Sequence, residues 1–183
     1  GRRDLEPISE LERVELIRGL LDKLRPGHPL RRKANDPYFY EYNLRDLFKR
    51  MKAEDWGPAF MHEQTKAYLQ DLPDRTEYIY QRKTKDAKKG DLKKWKFDDQ
   101  VEKMNRLLSA VDLYPAYLEA MRKANRYDFD DMILWVLRAF EKHPSLLRQY
   151  QEQYLYFLID EYQDTNGSQN HIIQQLAAYW TLP

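Results

Sequence analysis

The segment Tyr154-Leu155-Tyr156-Phe157-Leu158-Ile159 is apolar and aromatic throughout, shows no alternation, and stops abruptly at Asp160-Glu161. A run of this kind suits a strand buried on both faces, as in a parallel sheet. It predicts a strand over Leu155–Ile159, a rigid rod that places the residues after it with little play. In open α/β sheets ligands sit at the carboxyl ends of the strands, so the two acids fall where a site would be built. An aspartate there can hold Mg²⁺, largely through water, because the ion keeps much of its hydration and takes only one or two carboxylates. A neighbouring glutamate can orient and deprotonate an attacking water. A bare Asp-Glu pair after an apolar run is, however, more often a solvated turn.

The remaining pattern is helical. Ile8, Leu11, Val14, Ile17, Leu20, Leu21 and Leu24 recur at helical spacing over Ile8–Leu24. Ser9 and Glu12 form a candidate capping box, and Arg25-Pro26-Gly27 ends the helix. Asn43 is placed to cap a second helix carrying Leu44, Leu47, Phe48 and Met51. A third helix runs from Pro58 to about Leu72, with Phe60, Ala67, Tyr68 and Leu69 inward. Alternation of Tyr78 and Tyr80 suggests a short strand over Glu77–Gln81. From Phe97 a long stripe of Val101, Met104, Leu107, Leu108, Val111, Tyr114, Leu118 and Met121 predicts a helix that Pro115 bends or splits. Asp128 or Asp130 caps a further helix through Phe140, with Phe129 packed in the core. Pro144 restarts a short helix, and a last one begins near Ser168 and includes Tyr179.

The net charge of +1 hides an uneven distribution. Arg82, Lys83, Lys85, Lys88, Lys89, Lys93, Lys94 and Lys96 crowd one stretch, with Trp95 and Phe97 among them. Lysines neutralise phosphates and aromatic rings stack on bases, so Arg82, Lys83, Lys88, Lys89, Lys93, Lys94 and Trp95 are candidates for DNA contact. The competing reading is a solvated loop with Trp95 tucked into the core. With no cysteine in the chain, disulfides, thiolate zinc sites and cysteine nucleophiles are excluded, and an intracellular, cytoplasmic location is the easier reading. No apolar run approaches the roughly 20 residues a membrane span needs. His28, His62, His143 and His171 lack metal-ligand spacing.

Asp160-Glu161-Tyr162-Gln163-Asp164-Thr165-Asn166, followed by Gln169, resembles motif II (the Walker B motif) of superfamily 1 helicases of the UvrD/Rep/PcrA type. Upstream, Tyr127-Asp128-Phe129-Asp130-Asp131-Met132-Ile133 resembles the DFDDLL segment that precedes motif II in that family. The resemblance implies an ATP-dependent DNA helicase, moving on single-stranded DNA, unwinding duplex 3′ to 5′ and serving processes such as DNA repair. It implies that Asp160 holds the Mg²⁺ of Mg-ATP and that Glu161 is the catalytic base. Gln163 and Asp164 would border the nucleotide site, with Thr165, Asn166 and Gln169 as structural or coupling residues. A related helicase–nuclease, or a non-catalytic helical module for nucleic acid or protein, are the alternatives.

No G-x-x-x-x-G-K-[ST] phosphate loop occurs in the sequence, so no backbone cradle for phosphates is supplied. The resemblance places that loop before Gly1 and the "GDxxQ" motif after Pro183. The chain then reads as an internal piece, inactive by itself. The expected fold is mainly α. Residues 1–126 form a helical insertion subdomain on the DNA side. Residues 127–183 form a small α/β remnant of a P-loop, RecA-like ATPase domain containing motif II. An unpaired strand in that remnant could drive self-association.

Overall fold

The computed structural model describes residues 4–31, 36–154 and 156–178. Of the sequence expectations, those for the first three residues, Leu155, Tyr179 and the residues after it lie outside the described residues.

The first helix, α1 (Glu10–Asp22), starts at Ser9, whose hydroxyl accepts the Glu12 N–H while the Glu12 carboxylate accepts the Ser9 N–H. The expected capping box is therefore present. Ile17, Leu20 and Leu21 are buried, but Leu11 points to solvent. α2 (Glu41–Ala53) begins two residues before Asn43, and Tyr40 at its start provides no side-chain cap. Asn43 is thus inside the helix, because Tyr38 and Tyr40 turn the chain into it first.

α2 ends in a Schellman motif. Asp55 takes a left-handed φ of 54°, the Trp56 N–H reaches Met51 O at 2.8 Å and the Asp55 N–H reaches Lys52 O at 3.1 Å. Glycine usually holds this position, and aspartate tolerates it better than most residues. α3 (Pro58–Asp71) follows. Its buried residue is Thr65, while Phe60 and Ala67 face outward, contrary to the sequence pattern.

The proline at 115 splits the long stripe as expected, into α4 (Lys94–Val111) and α5 (Tyr114–Lys123). α1, α2, α4 and α5 enclose the main core, in which Phe48 stacks on Tyr117 at 4.9 Å. Each such buried ring or large aliphatic chain contributes about 1.5–3 kcal/mol. The expected strand over Glu77–Gln81 is reduced to a 3₁₀ turn at Thr76–Tyr78 and one antiparallel bridge, Ile79 to Leu92.

The described strands are β1 (Glu6–Pro7) and β2 (Arg126–Tyr127), two residues each and parallel. They bring the start of the chain back to the beginning of the second motif, so α1 to α5 form a helical excursion between two adjacent backbone segments. Arg126 ties the junction through Glu6 at 2.9 Å and Glu12 at 2.8 Å.

Beyond β2 come α6 (Phe129–Lys142), α7 (Pro144–Gln153) and α8 (Gly167–Ala177). The expected strand does not form at 156–159. Tyr156 is 88% and Leu158 100% exposed, whereas Tyr154 and Phe157 turn toward Phe140, Ile172 and Leu176. A strand is held by hydrogen bonds to neighbouring strands, and the described residues place none beside this run. The fold is mainly α, and the α/β remnant expected around Leu155–Ile159 is not formed among the described residues.

Candidate functional site

The two acids that end the apolar run lie side by side on an exposed turn. Asp160 Oδ1 accepts the Glu161 N–H at 2.9 Å. Glu161 occupies the left-handed region at φ 49°, ψ 43°, which is uncommon for a residue other than glycine. The Gln163 side-chain amide donates to Glu161 Oε2. The Asp164 N–H closes a 3₁₀ turn over Tyr162–Asp164 by bonding Glu161 O at 2.8 Å. Thr165 Oγ1 lies 2.7 Å from Tyr162 O and 3.1 Å from Asn170 Oδ1. Asn166 then caps α8 through the Gln169 N–H at 3.0 Å, and Gln169 returns a bond to the Asn166 N–H at 3.1 Å. Local bonds thus run without a gap from Asp160 to the first turn of α8.

Chemically, the turn offers hard carboxylate oxygens of the kind Mg²⁺ prefers. No group of three or more His, Cys, Asp or Glu side chains converges into a metal cage among the described residues. A Mg²⁺ ion held by Asp160 would fit as one carboxylate ligand, completed by water and phosphate oxygens, which is how this ion is commonly bound.

The second motif builds a different structure. Asp128 caps α6, with its carboxylate on the Asp131 N–H at 3.0 Å and the Asp131 carboxylate on the Asp128 N–H at 2.9 Å. Both carboxylates also bind Lys52 Nζ, at 2.9 Å and 2.8 Å, and Lys52 is only 1% exposed. Arg13 approaches Asp128 at 3.3 Å. Burial pushes Asp128 up, but the Lys52 ammonium and the bonds from Lys52 and Asp131 outweigh it, leaving its carboxyl below the usual range. For Asp131 burial prevails and the carboxyl is raised. Burial, then the charge of Asp128, raises Asp130. Lys52 was not singled out from the sequence, yet it lies on the same helical face as Leu44 and Phe48. A lysine on an apolar stripe is a signal that a buried partner exists.

Phe129, expected in the core, is 64% exposed. It lines a cleft of about 310 Å³ together with Tyr42, Arg45, Lys49 and Asp130. Capping turns the α6 start outward, so the phenyl ring and the exposed Tyr42 ring flank cationic side chains.

The basic stretch forms a hairpin. The Tyr80 N–H bonds Asp91 O at 2.9 Å, and the Lys93 N–H bonds Tyr78 O at 2.7 Å. Arg82, Lys83, Lys85, Lys88 and Lys89 are exposed on its tip, and Lys94 and Trp95 are exposed in the first turn of α4. Trp95 is 69% exposed rather than tucked into the core. Lys93 and Lys96 are less exposed, because their ammonium groups donate to Glu77 O at 3.0 Å and 3.3 Å and support the hairpin. The exposed basic residues and Trp95 thus lie on the hairpin tip and the first turn of α4, apart in sequence from the carboxylate turn.

Residues 7–180 match the model of the UvrD/REP helicase N-terminal domain. The chain is 39% identical over 66 residues to the ATP-dependent DNA helicase PcrA of Bacillus subtilis, covering 36% of this chain and 9% of that protein. It is 38% identical over 69 residues to PcrA of Leuconostoc citreum, covering 38% and 9%. A probable DNA helicase II homologue of Rickettsia felis is 43% identical over 68 residues, covering 37% and 10%. The chain thus aligns with about a tenth of the length of these curated relatives.

Proposed function

The chain belongs to the UvrD/REP helicase family, with the match to its N-terminal domain model spanning residues 7–180, and from that premise we propose that it is the motif II-bearing part of an ATP-driven DNA helicase. The observation that carries the reading is the pair Asp160 and Glu161, adjacent on an exposed turn and held by local hydrogen bonds up to α8. In this reading Asp160 holds Mg²⁺ and Glu161 takes the proton of the attacking water. Gln163, donating to Glu161 Oε2, orients that carboxylate. Asp164 borders the nucleotide. When bound, Mg²⁺ neutralises charge on the β- and γ-phosphates of ATP.

Residues 1–126 serve as the helical subdomain on the DNA side, and 127–183 as a part of the ATPase domain. The basic hairpin, with Trp95, meets DNA by neutralising phosphates and offering a ring for stacking. Translocation on a single strand in the 3′ to 5′ direction belongs to the complete protein, since a phosphate loop must come from sequence outside this chain. By the same reasoning the 183-residue chain is inactive on its own. No described helix is long and apolar enough to cross a membrane, and we place the protein in the cytoplasm with its DNA.

The test is Glu161→Gln in the complete protein. DNA-stimulated ATP hydrolysis should fall at least ~10²-fold, the scale of a lost general base, while ATP binding persists. Hydrolysis at the wild-type rate would remove Glu161 from the chemistry.

A further inference from the structure

The residues at the end of α2 reach three places beyond β2. Lys52 binds the start of α6. Asp55 accepts from Arg138 on α6 at 2.5 Å and lies 3.9 Å from His171 on α8. Between them, Glu54 Oε2 accepts the backbone N–H of Gly167, the first residue of α8, at 3.0 Å.

This last approach is unusually close. A Cβ added to Gly167 would lie 2.6 Å from Glu54 Oε2, 3.1 Å from Glu54 O and 3.2 Å from Glu54 Cα. The carboxylate end could swing away, which would break its bond to the Gly167 N–H, while the two backbone atoms would have to yield by a few tenths of an ångström. Glycine thus lets the end of α2 sit on the start of α8 with the Glu54 carboxylate still on the Gly167 N–H. The carboxylate is also suitably placed for the free N–H groups and positive end of α8. Asn166 already caps the Gln169 N–H, and Glu54 supplies an acceptor from another helix for the Gly167 N–H that Asn166 does not satisfy.

α8 is the anchored end of the carboxylate turn. From Gly167 back to Asp160 each step is bonded: the Asn166–Gln169 capping pair, Thr165 to Tyr162 and Asn170, the Asp164 N–H to Glu161 O, and the Glu161 N–H to Asp160 Oδ1. We propose that Glu54 is a positioning residue for Asp160 and Glu161, seating the start of α8 against α2 and so setting where the carboxylate turn begins. The proposal rests on the ATPase reading of that turn.

The experiment compares Glu54→Ala, Glu54→Gln, Gly167→Ala and the double variant Glu54→Ala/Gly167→Ala in the complete protein. Two readouts are taken: hydrogen exchange over residues 161–170, and kcat and KM for ATP with DNA present. Glu54→Ala should speed exchange at the start of α8 by about fivefold, the scale of removing one cap. It should lower kcat by a larger factor than it raises KM, since Glu161 serves only the chemical step while Asp160 shares nucleotide binding with groups elsewhere. Glu54→Gln, which keeps an acceptor oxygen, should recover most of both. Gly167→Ala should mimic Glu54→Ala, and the double variant should be less impaired than the two single effects combined. Unchanged exchange in Glu54→Ala, faster exchange with wild-type kcat, or additive impairment would each overturn the proposal. If Glu161→Gln leaves hydrolysis intact, the ATPase reading fails separately, while the exchange data still report on the Glu54–Gly167 bond.

Discussion

Replacing Lys52 with methionine tests the centre of the charge network that joins α2 to α6. Methionine keeps an unbranched apolar chain of similar length but removes the ammonium that lies 2.9 Å from Asp128, 2.8 Å from Asp131 and 5.5 Å from the centre of the Tyr117 ring. Removing one partner of a buried pair costs about 3–5 kcal/mol, because the remaining charge is left uncompensated. Here the side chains of Asp128 and Asp131 keep 9% and 15% exposure and Arg13 stays near Asp128, so the lower end, about 3 kcal/mol, is expected. At this chain size, that corresponds to a fall of about 6–12 °C in Tm. Urea and thermal denaturation followed by circular dichroism measure it.

The pH dependence has a definite sign. In the wild type, Asp128 lies below its ordinary range. It therefore contributes stability above its unfolded pKa, and loses that contribution as pH falls through the folded value. Without Lys52, Asp131, already raised by burial in the wild type, rises further and Asp128 rises with it, so both bind protons more readily in the folded state. The penalty should then be greatest near neutrality and shrink as pH approaches about 4. Lys52→Met/Asp131→Asn should be more stable than Lys52→Met alone. A destabilisation below about 1 kcal/mol, the range of exposed ion pairs, or a penalty that grows in acid, would refute the reasoning.

Glu12 is held at a pKa of about 2, first by the Ser9 backbone N–H and then by Arg126. NMR titration should find it still ionised at about pH 3, and any contribution to folding is lost only as pH falls through its depressed value. Changing Arg82, Lys83, Lys88 and Lys89 to alanine in the complete protein should weaken DNA binding and flatten its dependence on salt. The slope of log K against log salt should change by up to about 0.9 for each duplex phosphate that is no longer neutralised. Trp95→Ala should weaken single-strand binding with Tm unchanged, and binding equal to wild type would show that the ring stays unused. Leu158→Lys, at a fully exposed position, should reduce self-association of the isolated chain in sedimentation, and an unchanged distribution would show that this exposed apolar run does not hold copies together.

Local sequence determined those features that neighbouring residues can enforce by themselves. Ser9 with Glu12, Asp128 ahead of α6 and the break at Pro115 were legible because caps and proline act within one helical turn. The Asp160–Asn166 motif was legible through its resemblance to motif II, whereas the bonds that hold it from Asp160 to α8 are seen only in the structure. Phe129, Leu11 and Phe60 were misplaced because hydropathy says how apolar a side chain is and not which face meets a neighbour. The strand at 156–159 required partners that its own residues cannot supply, so its backbone bonds had no ladder to join. The roles of Lys52, Glu54 and Gly167 depend on pairs more than seventy residues apart, Lys52 to Asp128 and Glu54 to Gly167. Only tertiary packing brings a lysine's charge to two acids, or a carboxylate to a distant helix start. Propensity acts along the chain; electrostatic satisfaction and close approach act across it.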